Sequence, residues 1–278
     1  LHTGIHSFPT RRSSDLYTPL LHNVRPRASM LNGCAPRVTW LADGVNWSQT
    51  IFADASVCHS TLTITNKAAE AKRLSVFAAV LPHQVTGGIR SGFSLVCNRK
   101  SGLILVDGKV VLCPYAPPDA MGAALGEQGT DITCFLRKGV LPKKQSARAD
   151  LSRISSGAMR FDLDLKPASS RRLRFGMPMT DLTAVQWYRQ RKGGDDTLAD
   201  FTRRWDRRLG HVGLQLPDRR AVDCFRASLA YLLMLSGDGK PVPGPAKYRS
   251  FWVRDAAYMA DALYYAGQRD LVPAALAR

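Results

Sequence analysis

The sequence has 278 residues, of which 45% are hydrophobic, and a formal net charge of +17 at pH 7. This length suits about two domains of ordinary size, and the hydrophobic content is that of a globular protein. The longest apolar stretch with helical character, 221–235, is interrupted by Asp223 and Arg226. The sequence therefore predicts no membrane-spanning segment and no membrane partner.

The positive charge is dispersed along the chain. Its arginine pairs, at 171–172, 203–204, 207–208 and 219–220, lie in separate parts of the chain. Segments that bind nucleic acids instead cluster Lys and Arg and interleave them with surface aromatic residues. We therefore expect a solvated basic surface and no nucleic-acid partner.

The first sixteen residues look unrelated to the remainder of the chain. Residues 6–16 resemble the conceptual translation of a common sequencing-adapter oligonucleotide. Segments of this origin do not take part in a fold. We therefore expect 1–16 to be a foreign, disordered tail that packs on nothing.

Short strand signals separated by turns follow, from Val38 to about Met179. Residues 61–65 alternate between polar and apolar, and the next apolar run places one face of a strand in a core through Leu74, Val76, Ala78 and Val80. The dipeptide Asp107-Gly108 suits the two positive-φ positions of a type I′ hairpin turn.

A further pair of strand signals is separated by the turn 166–170. Phe161, Leu163 and Leu165 alternate before the turn, and another alternating run follows it. Many short strands with frequent turns predict an antiparallel β-sandwich, which we assign to 17–180.

The six cysteines include no C-x-x-C pair. Cys58, Cys97 and Cys113 occupy apolar positions in the predicted strands, so buried free thiols are expected. This use of cysteine favours a reducing compartment such as the cytoplasm. Outside the tail the four histidines are widely spaced, so neither a metal nor an organic cofactor is predicted.

After Pro178 the apolar residues recur at the spacing of α-helices instead of alternating as in strands. We assign 181–216 to a linker that contains a helix capped by Thr197, with Leu198, Phe201, Trp205 and Leu209 on its apolar stripe. Asp218 is predicted to cap a second helix. A third helix is expected over 250–266, ended by Gly267, and a fourth begins at Asp270.

The most informative segment is Y-R-S-F-W-V-R-D-A-A-Y-M at 248–259, which follows a loop rich in Pro and Gly. Helical spacing places Arg254 and Tyr258 on one face and Trp252 and Asp255 on the adjoining face. A sugar ring needs both hydrogen-bond donors and acceptors for its hydroxyls, and an aromatic ring packs on its C–H surface. The candidate binding residues are therefore Trp252, Arg254, Asp255, Tyr248 and Tyr258. The alternative is that Arg254 and Asp255 form an exposed or capping pair at a helix start.

This segment resembles the W-x-R-D-x-A/S-Y signature at the second toroid helix of glucoamylase-like, six-hairpin glycosidases. The resemblance implies a multidomain protein, an antiparallel β-sandwich of supersandwich type followed by an (α/α)6 toroid. It also implies that Arg254 and Asp255 hydrogen-bond the sugar in the −1 subsite and that Trp252 lines the same pocket. Such a toroid of twelve helices needs roughly 200 residues. We therefore expect 217–278 to hold only its first helices.

In the resembled family the general acid and the general base are carboxylates on later helices. The catalytic pair is thus expected beyond Arg278, and the resemblance implies a fragment of an inverting glycoside hydrolase that acts on oligo- or polysaccharides. Two alternatives remain. One is a disaccharide phosphorylase of the same architecture, and the other is a non-catalytic carbohydrate-binding or scaffold protein.

Overall fold

A computed structural model describes residues 2–9, 24–31, 34–54, 56–81, 83–84, 88–89, 93–126, 131–149, 154–190, 194–210, 212–244, 248 and 250–273. The strands of the described chain are β1 (His2–Pro9), β2 (Arg27–Leu31), β3 (Ala35–Ala42), β4 (Val45–Ala53), β5 (Val57–Asn66), β6 (Lys72–Leu81), β7 (His83–Gln84), β8 (Gly88–Ile89), β9 (Ser94–Asn98), β10 (Leu103–Val106), β11 (Lys109–Pro114), β12 (Ala120–Gly126), β13 (Ser146–Arg148), β14 (Ile154–Leu165) and β15 (Ser170–Pro178). Its helices are α1 (Ile132–Leu136), α2 (Ala184–Gln190), α3 (Gly194–Leu209), α4 (Arg219–Leu235) and α5 (Val253–Tyr265).

The chain divides into two compact units. One unit comprises Leu1–Ser29 and Pro36–Gly194, and the other comprises Met30–Ala35 and Asp195–Arg278. The first contains most of the strands with α1 and α2, and the second contains α4, α5 and nearly all of α3. The division falls inside the stretch 181–216 that the sequence analysis assigns to a linker.

The first unit is a sandwich of two sheets. Nine strands lie in the order β13-β9-β10-β11-β15-β5-β4-β3-β2, and four lie in the order β1-β6-β14-β12. The core forms where the two inner faces meet, and it contains Trp47 and Ile64 from the larger sheet with Val76 and Met159 from the smaller one. The predicted antiparallel β-sandwich is confirmed.

Strand β6 is buried on both of its faces. Its predicted inward residues, Leu74, Val76, Ala78 and Val80, lie in the core between the sheets. Its other face carries Phe77, Ala79 and Leu81, which pack against Ile132 and Leu136 of α1. The short helix α1 begins at Asp131, whose side chain accepts the backbone N–H of Thr133.

Two of the predicted turns have different outcomes. The hairpin between β10 and β11 is confirmed, with φ of 47° at Asp107 and 76° at Gly108. The turn after Leu165, in contrast, does not join two paired strands, because β14 pairs with β6 and β12 whereas β15 pairs with β5 and β11. The chain crosses from one sheet to the other there. The buried Asn66 fixes the crossing by donating its side-chain amide to the carbonyl of Leu165 and its backbone N–H to that of Ser169.

The expectation that the tail packs on nothing is wrong for residues 2–9. They form β1, which pairs with β6 in antiparallel register from His2 opposite Leu81 to Pro9 opposite Leu74. An edge strand presents a row of backbone donors and acceptors, and any extended segment can pair with it whatever its side chains. The remaining residues of the expected tail, 10–16, lie outside the described residues.

The helices of the second unit follow the predicted stripes more closely than the predicted ends. Asp218 caps α4 as expected, because its side chain accepts the N–H of Arg220. Thr197 does not cap α3, which already begins at Gly194. Helix α5 is followed by Gly267 with φ of 72°, as expected. Across the described residues, no helix is both long enough and apolar enough to span a bilayer.

All six cysteines are free thiols. Of the three thiols predicted to be buried, Cys97 and Cys113 are buried and Cys58 is half-buried; Cys34 is also buried, whereas Cys224 is exposed. Burial raises the pKa of Cys97 to about 12 and that of Cys34 to about 11. These two thiols therefore stay protonated and unreactive at neutral pH.

Candidate functional site

Three of the sequence-predicted residues, Trp252, Arg254 and Asp255, lie at the start of helix α5. Trp252 is its N-cap residue and has extended backbone angles, φ −116° and ψ 117°. The carbonyl of Trp252 accepts the first helical hydrogen bond, from Ala256 N–H at 2.8 Å. Because Trp252 remains extended, the helix begins at Val253 rather than at the predicted position 250.

Helix α5 has one buried and one exposed face. Ala256, Ala260 and Leu263 are buried, and Leu263 packs with Leu229 and Leu233 of α4. The opposite face carries the residues that the spacing had grouped together, and all of them are exposed: Arg254, Tyr258, Asp261 and Tyr265. The small residues on the buried face bring α5 close to α4, so its polar residues point away from the core.

Three aromatic candidates are strongly exposed. Trp252 is 53% exposed, Tyr248 60% and Tyr258 73%. Large aromatic side chains that are exposed can mark a binding site. Their rings are accessible to the C–H face of a sugar, which is the contact proposed for them.

Arg254 and Asp255 have no ion pair and no side-chain hydrogen bond with the described part of the chain. Asp255 is half-buried in the first turn, where the helix dipole favours a carboxylate. No side chain caps the helix at Trp252. Asp255 thus lies where the helix dipole favours a carboxylate, and no hydrogen-bonded cap forms within the described residues.

The loop before α5 brings Tyr248 into this region of the chain. It leaves α4 through a 3-10 turn at Gly237–Gly239 and folds back, with Val242 N–H donating to Leu235. Gly244 N–H then donates to the carbonyl of Tyr248 at 3.2 Å. The structure therefore places Trp252, Arg254 and Asp255 on one turn, with Tyr258 one turn further along. The described contacts do not join the ring of Tyr248 to the other four residues.

A second polar cluster was not anticipated from the sequence, in which His59 was considered an ordinary histidine. The imidazole of His59 lies between Asp54, at 3.0 Å from Nε2 to Oδ2, and Tyr115, at 3.3 Å from Nδ1 to Oη. Phe52 stacks on the imidazole with ring centroids 4.8 Å apart. The sequence signal covered only part of the cluster: an Asp at the end of a strand with Ser two residues later, where an Asp side chain accepts nearby backbone N–H groups.

The carboxylate of Asp54 anchors this cluster. Burial by itself would raise the pKa of Asp54, but the N–H of Ser56, the imidazole of His59 and the N–H of Val57 together lower it below its ordinary value. Ser56 and Val57 both donate to Oδ1 at 2.8 Å. The cluster contains one carboxylate only, so it lacks the acid and base pair that glycoside hydrolysis needs. Its chemistry is that of a structural anchor.

In the described part of the chain, no group of three His, Cys, Asp or Glu side chains is arranged to hold a metal ion.

The sequence matches no protein-family model and no curated protein. Solved structures do resemble the chain. A bacterial glucoamylase complexed with acarbose matches with a TM-score of 0.69 at 12% identity, over 99% of this chain and 43% of the glucoamylase. The chain shares its fold. A putative kojibiose phosphorylase from the human microbiome matches with a TM-score of 0.59 at 10% identity, over 95% of this chain and 36% of that protein.

The fold recurs in a third solved structure. A family GH92 inverting mannosidase from Bacteroides thetaiotaomicron matches with a TM-score of 0.51 at 14% identity, over 83% of this chain and 29% of the mannosidase. The chain thus spans less than half of the length of each of these three proteins. The likeness establishes a fold that is shared with carbohydrate-active enzymes.

Proposed function

We propose that this chain is part of a carbohydrate-active enzyme that cleaves glycosidic bonds, and that the start of α5 forms part of its sugar-binding site. The observation that supports this most directly is the position of the exposed Trp252 and Arg254 and the half-buried Asp255 on one helical turn, in a fold shared with part of a glucoamylase complexed with acarbose. Tyr248 and Tyr258 would extend the same site.

The proposed roles follow from the chemistry of each group. The carboxylate of Asp255 accepts hydrogen bonds from sugar hydroxyls, and the guanidinium of Arg254 donates to hydroxyl and ring oxygens. The indole of Trp252 packs on the C–H face of the ring. These residues bind and orient the sugar without themselves transferring a proton.

The bond-breaking groups belong to sequence beyond Arg278 in this proposal. Inversion needs one carboxylic acid to protonate the leaving oxygen and a second carboxylate to activate water on the opposite ring face. One of the structural neighbours is an inverting mannosidase, which supports inversion for this architecture. The chain would then correspond to the sandwich and the first toroid helices.

A disaccharide phosphorylase is the second candidate, because a putative kojibiose phosphorylase shares the fold. In such an enzyme inorganic phosphate takes the place of the activated water. Assays of a longer protein that contains this chain, with and without phosphate, distinguish the two. Phosphorolysis predicts a sugar 1-phosphate product that hydrolysis does not form.

Sugar binding to the chain itself tests the proposed site. Acarbose and maltose are titrated against the purified chain, and the ring protons of Trp252 and Tyr258 are followed by NMR. We expect binding in the millimolar range that Asp255→Asn weakens about tenfold. Asp261→Asn is the matched control, since Asp261 is an exposed carboxylate of the same helix to which no contact with the sugar is assigned. Equal affinity of the Asp255→Asn variant and the parent chain would contradict the assignment.

A further inference from the structure

The loop between α1 and β13, residues 137–145, is tied to both sheets of the sandwich. It lies directly against β12, where a Cβ atom added at Gly122 would overlap the backbone carbonyl of Pro142. Further along the loop, the carbonyl of Lys144 accepts a backbone N–H of β12 at 2.8 Å, and the carbonyl of Gln145 accepts a backbone N–H of β9 at 2.7 Å. These contacts hold the loop on a defined path from the smaller sheet to the larger one.

The side chain of Arg99 meets this loop. Arg99 follows β9, and its Nη2 donates to the carbonyl of Met121 at 3.5 Å. The side-chain amide of Gln145 donates to the same carbonyl at 2.8 Å. Because the two donors share one oxygen, the guanidinium of Arg99 lies beside Gln145 and close to the residues that precede it in the chain, Lys143 and Lys144.

Four cationic residues therefore come together here, and we call Arg99, Lys100, Lys143 and Lys144 the basic cluster. All four are exposed, and none of them forms an ion pair with any described residue. The described segments 94–106 and 132–149 contain no Asp or Glu. Like charges that lie close together repel each other, so an anion bound among them would relieve this repulsion.

The acidic residues of the adjoining strands have other contacts. Asp119, which precedes β12, accepts the backbone N–H of Asp162 on β14 at 2.7 Å. Asp107 accepts the backbone N–H of Ser94, which lies at the opposite end of β9 from the basic cluster. Neither of these carboxylates forms an ion pair with the basic cluster.

We propose that the basic cluster binds a phosphate group, either as the free anion or on a small phosphorylated molecule. At neutral pH a phosphate group carries up to about two negative charges and three strong acceptor oxygens, which suits several cations better than the single charge of a carboxylate does. The guanidinium of Arg99 can donate two parallel N–H bonds to it, and the lysines contribute point charges. Arg99 is already held by Met121, so less side-chain entropy is lost on binding.

A nucleic acid fits this surface less well. Its bases stack on exposed aromatic rings. The only aromatic residue in 94–106 and 132–149 is Phe135, which packs against the cluster of buried residues beneath α1. A compact phosphate group needs no such platform.

This inference does not depend on the function proposed for the start of α5, which lies in the other unit. The full chain is titrated with inorganic phosphate and, separately, with glycerol 3-phosphate in about 0.1 M NaCl, and binding is measured by calorimetry. Glycerol is the neutral comparison. We expect a dissociation constant of about 1 mM or lower for at least one of the two anions. Binding of glycerol 3-phosphate alone would identify the ligand as a phosphorylated molecule.

Paired substitutions locate the binding. Lys143→Gln/Lys144→Gln keeps the backbone contacts of the loop and is expected to weaken phosphate binding about tenfold, because two charge-assisted contacts are lost. Lys67→Gln/Lys166→Gln removes the same charge from exposed positions elsewhere in the sandwich and should change the affinity less than about twofold. Arg99→Gln is a second variant of the basic cluster, and thermal melting without phosphate verifies that each variant folds.

Four results would overturn the proposal. They are the absence of binding of both anions to the parent chain, unchanged affinity in the variants of the basic cluster, an equal loss in the control variant, and equal binding of glycerol. An equal loss in the control would show that only the net charge of +17 attracts the anion.

Discussion

Asp255 has two possible roles at a helix start, and one substitution separates them. In an active enzyme that contains this chain, Asp255→Asn removes a charge-assisted hydrogen bond to the sugar, worth about 1.5–3 kcal/mol. We therefore expect kcat/KM to fall about 10- to 150-fold. A purely capping carboxylate would instead lower stability by about 0.5–2 kcal/mol and leave activity unchanged. Steady-state kinetics together with thermal melting separate the two roles, and a lower Tm with normal kcat/KM would reject sugar binding.

The lowered pKa of Asp54 predicts how the free energy of unfolding depends on pH. Because its pKa is lower in the folded protein than in the unfolded chain, its contribution to stability is complete above its ordinary pKa of about 4 and is lost as pH falls through the folded value. Asp54→Ala leaves the N–H groups of Ser56 and Val57 without their acceptor, which costs about 1–2 kcal/mol at pH 7. The difference in unfolding free energy between the two proteins should shrink below pH 4.

A surface carboxylate provides the control for Asp54. Asp164 pairs with Arg73, and both side chains are largely exposed, so Asp164→Ala should change stability at pH 7 by less than about 1 kcal/mol. Urea unfolding of the three proteins at several pH values gives the comparison. A destabilisation by Asp54→Ala that stays constant down to pH 2 would contradict the role of its charge.

Among the elements, α2 depends on a close approach to the sheet. The indole of Trp187 is buried over Gly176 of β15, where a Cβ atom would overlap the ring atom Cη2. Gly176→Ala should therefore destabilise the protein by about 1–3 kcal/mol through overpacking. In a Trp187→Leu background the same change should cost much less, because the ring is gone. A double-mutant cycle by urea unfolding measures this coupling.

The control for this close approach is Gly213, which has open space where a Cβ would be. Gly213→Ala should change the unfolding free energy by less than about 0.5 kcal/mol. Equal costs of Gly176→Ala with and without Trp187 would show that the backbone, and not the indole, limits the site.

Structural features that depend only on neighbouring residues in the chain could be predicted from the sequence. Asp107-Gly108 forms its hairpin and Asp218 caps its helix because both effects act within a few residues. The crossing after Leu165 could not be predicted in this way. Alternation shows which face of a strand is buried, but it does not name the neighbouring strand, and β14 and β15 find different partners.

The same distinction between local and long-range signals applies to the candidate functional residues. Trp252, Arg254 and Asp255 were identifiable because they lie within four positions on one helix start. The Asp54–His59–Tyr115 cluster was not, since Tyr115 lies far along the chain from His59 and meets it only through the sheet order.

For the molecule as a whole, we propose that this chain binds the sugar and that the catalytic carboxylates lie beyond it, and this proposal predicts the activity of the purified chain. The purified chain should not hydrolyse aryl glycosides or oligosaccharides, because the proposed general acid and base lie beyond Arg278. Release of a chromogenic phenol and of reducing sugar measures this directly. Turnover that persists through purification and is abolished by a substitution within the chain would show that a catalytic pair is present after all.

The pairing of β1 with β6 has a consequence for the fate of the protein in solution. Residues 74–81 of β6 carry no charge and no proline and are rich in apolar residues, which is the composition of segments that assemble into amyloid. In the folded chain β1 covers one edge of this strand and β14 the other. Deletion of residues 1–16 opens the first edge, so the shortened protein should form thioflavin-binding fibrils more readily at equal concentration. Ala78→Lys in the shortened protein introduces a charge within the segment and should suppress them, at a cost in stability. The N-terminal residues, although they resemble a translated adapter, would then protect the protein from self-assembly.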